Sequence, residues 1–303
     1  MILVVGATGQ LGGLITQDLL ESGRSVRAMV RREVDGRRLA AAGGQAAFGD
    51  LKDAPSIRAA CRDIDAVITT ANAVGRTGED TIESVDQLGT INLVQAAAAA
   101  GVRRFVYISA LGADPDHPMP LLRAKGLVEQ QLTMSGMGWT VLQPNAYMDT
   151  WIPLIVGGPA LRGDPITLVG DGRRRHSMVA MRDVAAYTTA VLDHPQTVAR
   201  IFPVGGPEPV TWLDVVAVFE AELHQDLPIR TIAPGQAIPG VPRFVSDLAA
   251  ALAGYDSPLD TTELSTTLGV KPTSLADYVR QFLTANATAT LTMTGMAGEG
   301  ARP

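Results

Sequence analysis

Three glycines near the start of the chain have the spacing of a phosphate-binding turn. Gly6, Gly9 and Gly12 lie in ILVVGATGQLGGLITQDLL, where a β-branched run gives way to a helical pattern. There the bare N–H groups and the dipole of the helix favour a pyrophosphate. The spacing is G-x-x-G-x-x-G instead of G-x-G-x-x-G, and an ordinary strand-to-helix turn could have it too. The predicted cradle comprises Gly6, Thr8, Gly9, Gln10, Leu11 and Gly12.

Each glycine of this turn has its own expected role. Gly6 is predicted to take a tight turn, and Gly9 to let the backbone approach the phosphates. Gly12 is predicted to allow close packing of the helix on the strand. The turn therefore indicates a dinucleotide site.

Two arginines, Arg31 and Arg32, end the second predicted strand, VRAMV. Arg32 follows Gly12 by about 20 residues, the offset at which dinucleotide-binding folds place the residue that contacts the adenosine ribose. An acid there suits NAD, whereas two guanidinium groups suit the 2′-phosphate of NADPH. A solvated basic patch before Glu33 and Asp35 would leave the same pattern. We predict NADPH as the cofactor.

Further polar residues follow the third and fourth predicted strands. Asp50, beside Gly49, could accept a hydrogen bond from an adenine amino group, with Leu51 next to it, although a turn aspartate would look the same. Small and hydroxylated residues at the carboxyl end of a strand line the crevice where open α/β sheets bind ligands. In the fourth strand these residues are Thr69, Thr70, Ala71 and Asn72.

The elements that position these residues alternate between two periodicities. Short β-branched runs, ILVV, VRAMV, AVITT, RFVYIS and TVLQP, are separated by stretches with one apolar helical face, mostly closed by Gly23, Gly101 or Gly136. Parallel strands need helical crossovers, so the alternation predicts an α/β fold, a Rossmann-type doubly wound parallel sheet.

The second half of the chain loses this rhythm, because frequent prolines from Pro153 to Pro242 break it into short pieces. We expect a smaller, interleaved C-terminal substrate lobe. The final stretch, TANATATLTMTGMAGEGARP, has little apolar area to offset its ordering entropy, so a disordered tail is expected. The predicted division is a nucleotide-binding domain at 1–150 to which 180–205 returns, a lobe at 151–180 and 206–283, and a tail at 284–303.

Composition narrows the function classes. The formal charge of the 303 residues is −6, which argues against a nucleic-acid surface. Cys61 is the single cysteine, so a disulfide within the chain and a thiolate metal cluster are excluded, no metal is expected, and a reducing cytoplasm fits. No uninterrupted apolar run reaches about 18 residues, and we predict no membrane span.

The segments VVGATGQLGG, VRAMVRR, FVYISALGA, RAKGLVEQQL, TVLQPNAYM and SMVAMRDVAA together resemble the NmrA-like group of atypical short-chain dehydrogenases. The resemblance covers most of residues 1–205. It implies an NADPH-dependent reductase of quinones, enones or carbonyl compounds, or a relative that binds the nucleotide without turnover and acts as a redox-sensing regulator.

The resemblance also carries a catalytic pattern, in which a Tyr four residues before a Lys donates the proton and a Ser polarises the carbonyl. Ser109 and Lys125 match that pattern, whereas Leu121 stands at the Tyr position. Lys125 is expected to hold the nicotinamide ribose; the alternative is a surface lysine paired with Glu129 at spacing i, i+4. The missing Tyr puts the full carbonyl-reductase mechanism in doubt.

Two residues are candidates to replace the missing acid. Tyr147 follows Pro144 and Asn145, which are expected to contact the cofactor, and it is either the acid or an aromatic wall. His176 is either a proton shuttle or part of a solvated basic loop. We hypothesise that four residues serve catalysis: Ser109, Lys125, Tyr147 and His176.

The leading hypothesis is an NADPH-dependent oxidoreductase that transfers hydride to an apolar quinone, enone or ketone. Met134, Met137, Met148 and Trp151 are candidates to shape an apolar pocket, although they could equally be core residues. The rival is a non-catalytic NADP(H) sensor, and a weaker one is a cofactor-dependent isomerase or epimerase. A homodimer is possible.

Overall fold

A computed structural model describes residues 1–298, and the side chains as far as residue 287. Its main element is a seven-stranded parallel sheet with the strand order β3-β2-β1-β4-β5-β6-β8, and a two-stranded parallel sheet pairs β7 with β9. The strands are β1 Ile2–Val5, β2 Val26–Val30, β3 Gln45–Phe48, β4 Ala66–Thr69, β5 Arg104–Ile108, β6 Gly138–Pro144, β7 Ile166–Val169, β8 Arg200–Val204 and β9 Ile229–Ile232.

Helices connect these strands. They are α1 Gln10–Glu21, α2 Glu33–Ala41, α3 Ala54–Ala60, α4 Thr90–Ala99, α5 Pro120–Thr133, α6 Met148–Ile152, α7 Gly158–Arg162, α8 Met181–Ala190, α9 Trp212–Leu223, α10 Arg243–Leu252, α11 Thr262–Leu268 and α12 Leu275–Gly298. Two π-helical segments, Ile82–Gly89 and Pro153–Gly157, and a 3₁₀ turn, Pro195–Thr197, complete the list.

The order of the main sheet reverses at β1. Ile2 is in register with Val26 of β2 on one side and with Ala66 of β4 on the other, both parallel. In doubly wound sheets such a switch point opens a crevice at the carboxyl ends of the strands. The predicted doubly wound parallel sheet is confirmed, and its switch point places the crevice beside the turn that follows β1.

The chain divides into two compact units. The first consists of Met1–Asn145, Met181–Val204 and Thr261–Lys271. The second consists of Ala146–Ala180, Gly205–Asp260 and the described residues from Pro272 onward. The division predicted from the sequence placed Thr261–Lys271 in the C-terminal lobe, whereas the structure places this segment in the first unit.

Each unit has its own apolar core. In the first unit the sheet residues Leu3, Val67, Phe105 and Val141 pack together with no exposed surface. In the second unit a separate cluster gathers around Ile152, Ile166 and Phe219, which are equally buried. Among the described residues, no helix has both the length and the apolar character that crossing a membrane requires.

The C-terminal segment differs from the expected disordered tail that begins at residue 284. Helix α12 starts at Leu275 and continues to Gly298, and residues 299–303 lie outside the described part. Leu275 and Val279 anchor the helix in the core of the second unit. Extension of a formed helix avoids the cost of nucleation, and the tail is rich in alanine and lacks proline before that point.

Candidate functional site

The turn after β1 shows why two of its positions are glycine. Gly6 has a φ of +91°, and a Cβ there would lie 2.6 Å from Thr70 Oγ1 and 2.9 Å from the Ala71 nitrogen. A Cβ on Gly12 would lie 2.2 Å from the Gly6 carbonyl oxygen. The tight turn predicted for Gly6 and the close helix packing predicted for Gly12 are confirmed.

Gly9 is constrained less by the protein itself. Its N–H donates to the Gly6 carbonyl over 2.9 Å, and a Cβ would come no closer than 3.3 Å to that oxygen. Helix α1, which begins after Gly9, has no side-chain cap and no acidic residue in its first turn. The N–H groups of that turn, which includes Gln10 and Leu11, therefore suit an anion. A phosphate contact at Gly9 stays a prediction.

A cleft of about 760 Å³ opens beside this turn, within the first unit. Eight residues of the predicted cofactor site line it: Gly6, Thr8, Arg31, Arg32, Asp50, Leu51, Ala71 and Asn72. Further lining residues were not predicted: Val5, Met29, Val30, Asp35, Gly49, Gly75, Arg76, Thr77, Asp80 and Val85. Thr69 is fully buried in β4, and Thr70 lies behind the turn against Gly6 and Gly12.

The first of the two predicted phosphate-binding arginines faces this cleft with an acidic partner. Arg31 Nη1 donates to Asp80 Oδ2 over 2.7 Å and lies 3.6 Å from Asp50 Oδ2. Asp80 also accepts from Lys52 and Arg76. Hydrogen bonds from Lys52 and Arg31 hold the pKa of Asp80 well below its usual range, so that this side chain is a carboxylate.

The second arginine folds back onto its own helix. Arg32 precedes α2, and its Nε and Nη2 donate to the two oxygens of Asp35 over 2.7 and 2.9 Å. The Asp35 carboxylate is 9% exposed, whereas the Arg32 side chain is 70% exposed. A bidentate pair therefore holds Arg32 at the rim of the cleft instead of leaving it in a merely solvated patch, and its phosphate contact stays a prediction.

Asp50, the candidate adenine contact, also has internal partners. Its Oδ1 accepts from the Lys52 backbone N–H over 2.9 Å, which makes it the turn aspartate that the sequence left as the alternative. Its Oδ2 lies 3.8 Å from Lys52 Nζ. Asp50 still lines the cleft, and an adenine contact stays a prediction.

Lys125 is buried, contrary to the alternative of a surface lysine. Its side chain is 6% exposed, and Nζ lies 3.3 Å from Asp86 Oδ1 and 5.3 Å from the centre of the Tyr107 ring. The other Asp86 oxygen accepts from the Ala73 N–H over 2.9 Å. The pair therefore connects α5 to the segment after β4, which contributes residues to the cleft.

Ser109 directly follows β5, and its side chain contacts a buried acid. Its Oγ donates to Glu129 through a short hydrogen bond, and Gln143 Nε2 donates to both oxygens of the same carboxylate. Burial raises the pKa of Glu129. Leu121 lies half-buried one turn before Lys125 on α5, so an apolar side chain occupies the position of the missing acid.

At the end of β6, Asn145 is buried and its N–H donates to the Val204 carbonyl over 2.9 Å, while the Pro144 carbonyl accepts from Leu111. These bonds fix the backbone in the first unit. Ser109, Lys125, Pro144 and Asn145 do not line the 760 Å³ cleft, and their cofactor contacts remain predictions.

The remaining candidate acids belong to the second unit. Tyr147 precedes α6, is half-buried, and burial raises the pKa of its phenol, which makes it a weaker acid. His176 is 3% exposed and its Nδ1 lies 2.7 Å from Ser257 Oγ. Its ring meets Tyr255 edge-on, and burial lowers its pKa. This burial argues against a shuttle and against a solvated loop.

The proposed apolar pocket residues are dispersed. Met134 is 68% exposed and Met148 is buried in the core of the second unit. Met137 packs against the core of the first unit and Trp151 against that of the second. The alternative assignment as core residues holds for Met148.

Several relevant residues escaped prediction. Lys52 lies in LKD, and Arg76 and Asp80 lie in GRTGED, which are stretches without a periodic pattern. Asp86 lies in the helical segment Ile82–Gly89, where its charge did not reveal its buried partner. The pairing of Asp35 with Arg32 could have been predicted, because Asp35 stands three residues after Arg32 at the start of a helix.

Comparison with known proteins adds an independent finding. Residues 6–195 match the model of a family described as NAD(P)H-binding. The NAD(P)H azoreductase of Xenophilus azovorans is 33% identical over 235 residues, which are 77% of this chain and 77% of that protein. The photosystem II assembly factor Ycf39 of Trieres chinensis is 28% identical over 255 residues, 84% of this chain and 76% of that protein.

Among solved structures, the NADPH-dependent quinone oxidoreductase QOR2 of Escherichia coli, complexed with NADPH, is similar with a TM-score of 0.78 and 22% sequence identity. The match covers 93% of this chain and 100% of that chain. At this identity the likeness concerns the fold alone.

Proposed function

Because the chain belongs to the NAD(P)H-binding family, we propose that it is an NADPH-dependent reductase that transfers hydride to a conjugated organic acceptor. The observation that carries the proposal is the cradle after β1. A Cβ on Gly12 or Gly6 would collide with backbone, so α1 starts in direct contact with the turn, and no side chain caps the N–H groups of its first turn. Such a cradle fits a pyrophosphate, with Arg31 at the adenosine end of the cleft.

The acceptor class follows from the missing acid. The bound nicotinamide would supply a hydride, and the reduced acceptor must then gain one proton. With Leu121 in place of Tyr, no side chain at that position donates it. Acceptors whose reduced form is a stabilised anion, such as quinones, enones and azo compounds, can take the proton from water. The name of the Xenophilus relative, an NAD(P)H azoreductase, supports this class.

Residues of the chain have distinct proposed roles. Arg31 would bind the 2′-phosphate, and Ser109 would face the acceptor from the end of β5. Lys125 would act as a positioning residue, because its partner Asp86 holds the Ala73 N–H of the segment that borders the cleft. Tyr147 would pack as an aromatic wall, since burial makes its phenol a weak acid.

A second candidate is a protein that binds NADP(H) without turnover. Two features favour it: Lys125 and Ser109 each engage a buried carboxylate of the chain itself, and Leu121 removes the usual acid. A relative named as an assembly factor is consistent with it. An epimerase is disfavoured, because its chemistry on a sugar hydroxyl needs the missing acid–base Tyr more than quinone reduction does.

One assay separates these candidates. Purified protein is mixed with NADPH or NADH and a panel of quinones, azo dyes, enones and simple ketones, and the loss of reduced-nicotinamide absorbance is followed. The reductase proposal predicts oxidation of NADPH with conjugated acceptors and little with simple ketones. Tight NADPH binding without oxidation across the panel would favour the sensor. An Arg31→Ala variant should lose affinity for NADPH and keep its maximal rate.

A further inference from the structure

The carboxylate of Asp80, in the cleft, forms ion pairs with the cationic side chains that a nucleotide phosphate would need. Asp80 Oδ2 accepts from Arg31 Nη1 over 2.7 Å and from Arg76 Nη1 over 3.1 Å. Its Oδ1 accepts from Lys52 Nζ over 2.5 Å. Only 10% of the Asp80 side chain is exposed, and the three cationic groups together contact both of its oxygens.

The three cations come from different parts of the first unit and converge on one point. Arg31 follows β2, Lys52 precedes α3, and Arg76 lies in the segment after β4. Their side chains are 28 to 48% exposed. Arg31, Arg76 and Asp80 all line the cleft beside the phosphate turn. Clustered guanidinium and ammonium donors are what a phosphate monoester selects.

Hydrogen bonds fix both ends of the segment that carries Asp80. On one side the Ala73 N–H donates to buried Asp86. On the other, Thr81 caps the helical segment that follows, because its Oγ1 accepts from the Ser84 N–H and Ser84 Oγ accepts from the Thr81 N–H. The carboxylate is thus presented to the cations by the fold of the segment.

We propose that Asp80 is an internal anion in the 2′-phosphate subsite formed by Arg31, Lys52 and Arg76, and that it sets the preference between NADP(H) and NAD(H). This inference rests on the proposed function only for the identity of the nucleotide site. The 2′-phosphate must displace the carboxylate from these cations and is repelled by it. The 2′-hydroxyl of NAD(H) is uncharged and can donate to the same carboxylate. Asp80 therefore weakens the preference for NADP(H) that Arg31 creates.

The test is a binding measurement without acceptor, so that it does not depend on turnover. Dissociation constants for NADP⁺ and NAD⁺ are measured by titration calorimetry for the wild type and Asp80→Asn. Removing one negative charge a few ångströms from a phosphate is expected to tighten NADP⁺ binding by about tenfold. NAD⁺ binding should stay the same or weaken. The gain should shrink as salt is added, because the groups are partly exposed.

Asp193→Asn is the matched control. It also removes a carboxylate from an arginine pair, with Arg24, but it does not line the cleft, so the ratio of the two affinities should not change. Arg76→Ala, at a cation that lines the cleft, is a second variant that keeps the test decisive if Asp80→Asn folds poorly. It should weaken NADP⁺ binding by about tenfold and leave NAD⁺ binding unchanged.

Failure of the reductase proposal would appear as absent turnover with intact nucleotide binding, and would leave this inference standing. An unchanged ratio of NADP⁺ to NAD⁺ affinity in Asp80→Asn, or in Arg76→Ala when Asp80→Asn cannot be folded, would overturn it. Wild-type protein that binds neither nucleotide would overturn both proposals.

Discussion

Replacing Gly12 with alanine should destabilise the nucleotide-binding unit and impair cofactor binding. The new Cβ would lie 2.2 Å from the Gly6 carbonyl oxygen, 2.7 Å from its carbon and 2.9 Å from Thr70 Oγ1. Non-bonded carbon atoms normally stay about 3.5–4.0 Å apart, so the turn or α1 must shift by roughly 1 Å. Two of the three obstructing atoms are backbone, which cannot rotate away.

The magnitude is the difference between two effects. Forcing a methyl group into a packed site costs up to about 3 kcal/mol. Alanine in a helix is more favourable than glycine by about 1 kcal/mol. The net loss is about 2 kcal/mol, or about 4–8 °C in Tm for a unit of this size. Cofactor affinity should fall as well, because the displaced Gly6 carbonyl holds the Gly9 N–H.

Gly13 provides a control in the same helix. A Cβ there would meet only the Ala7 carbonyl oxygen, at 3.7 Å, which is an ordinary contact. Gly13→Ala should therefore keep the helical gain of up to about 1 kcal/mol. Both variants are compared by thermal unfolding and by NADPH titration. If Gly12→Ala were as stable as Gly13→Ala, the close approach of α1 to the Gly6 turn would be refuted.

Three further predictions concern buried groups. Burial raises the pKa of the Cys61 thiol to about 11. A maleimide should therefore label the native protein very slowly at about pH 8 and react promptly in denaturant. Fast labelling of the native protein would show that the thiol is accessible. Folding lowers the pKa of His176, so its contribution to stability is complete above about pH 6.5 and is lost as the pH falls through the lower pKa of the folded state. His176→Gln should therefore flatten the decline of Tm between about pH 7 and about pH 5. An unchanged slope would show that His176 does not cause the decline. Lys125→Met should cost about 3–5 kcal/mol in urea unfolding, because it strands the buried Asp86 charge, and a neutral effect would contradict the pairing.

The sequence was most informative where local geometry decides the outcome. The strands ILVV and VRAMV, and the packing roles of Gly6 and Gly12, depend on short-range periodicity and on clashes within one turn. Arg31 was correctly placed at the cleft, because the end of β2 borders the phosphate turn in any sheet of this order.

Charge partners could not be predicted in the same way. Arg31 pairs with Asp80, 49 residues away, and the ring of His176 pairs with Ser257, 81 residues away. Such pairs depend on how loops without a periodic pattern close, so the sequence shows the charges but not their neighbours. The burial of Lys125 beside Asp86 was missed because the two residues lie on separate helical segments, and periodicity within each segment does not show which segments pack together.

Steady-state oxidation of NADPH by purified protein, with a quinone and an azo dye as acceptors, tests the proposed reductase function most directly. Oxidation should saturate with NADPH, and an Arg31→Ala variant should need more NADPH to reach the same maximal rate. Stoichiometric NADPH binding without oxidation by either acceptor would contradict this proposal, and so would an Arg31→Ala variant with unchanged affinity for NADPH.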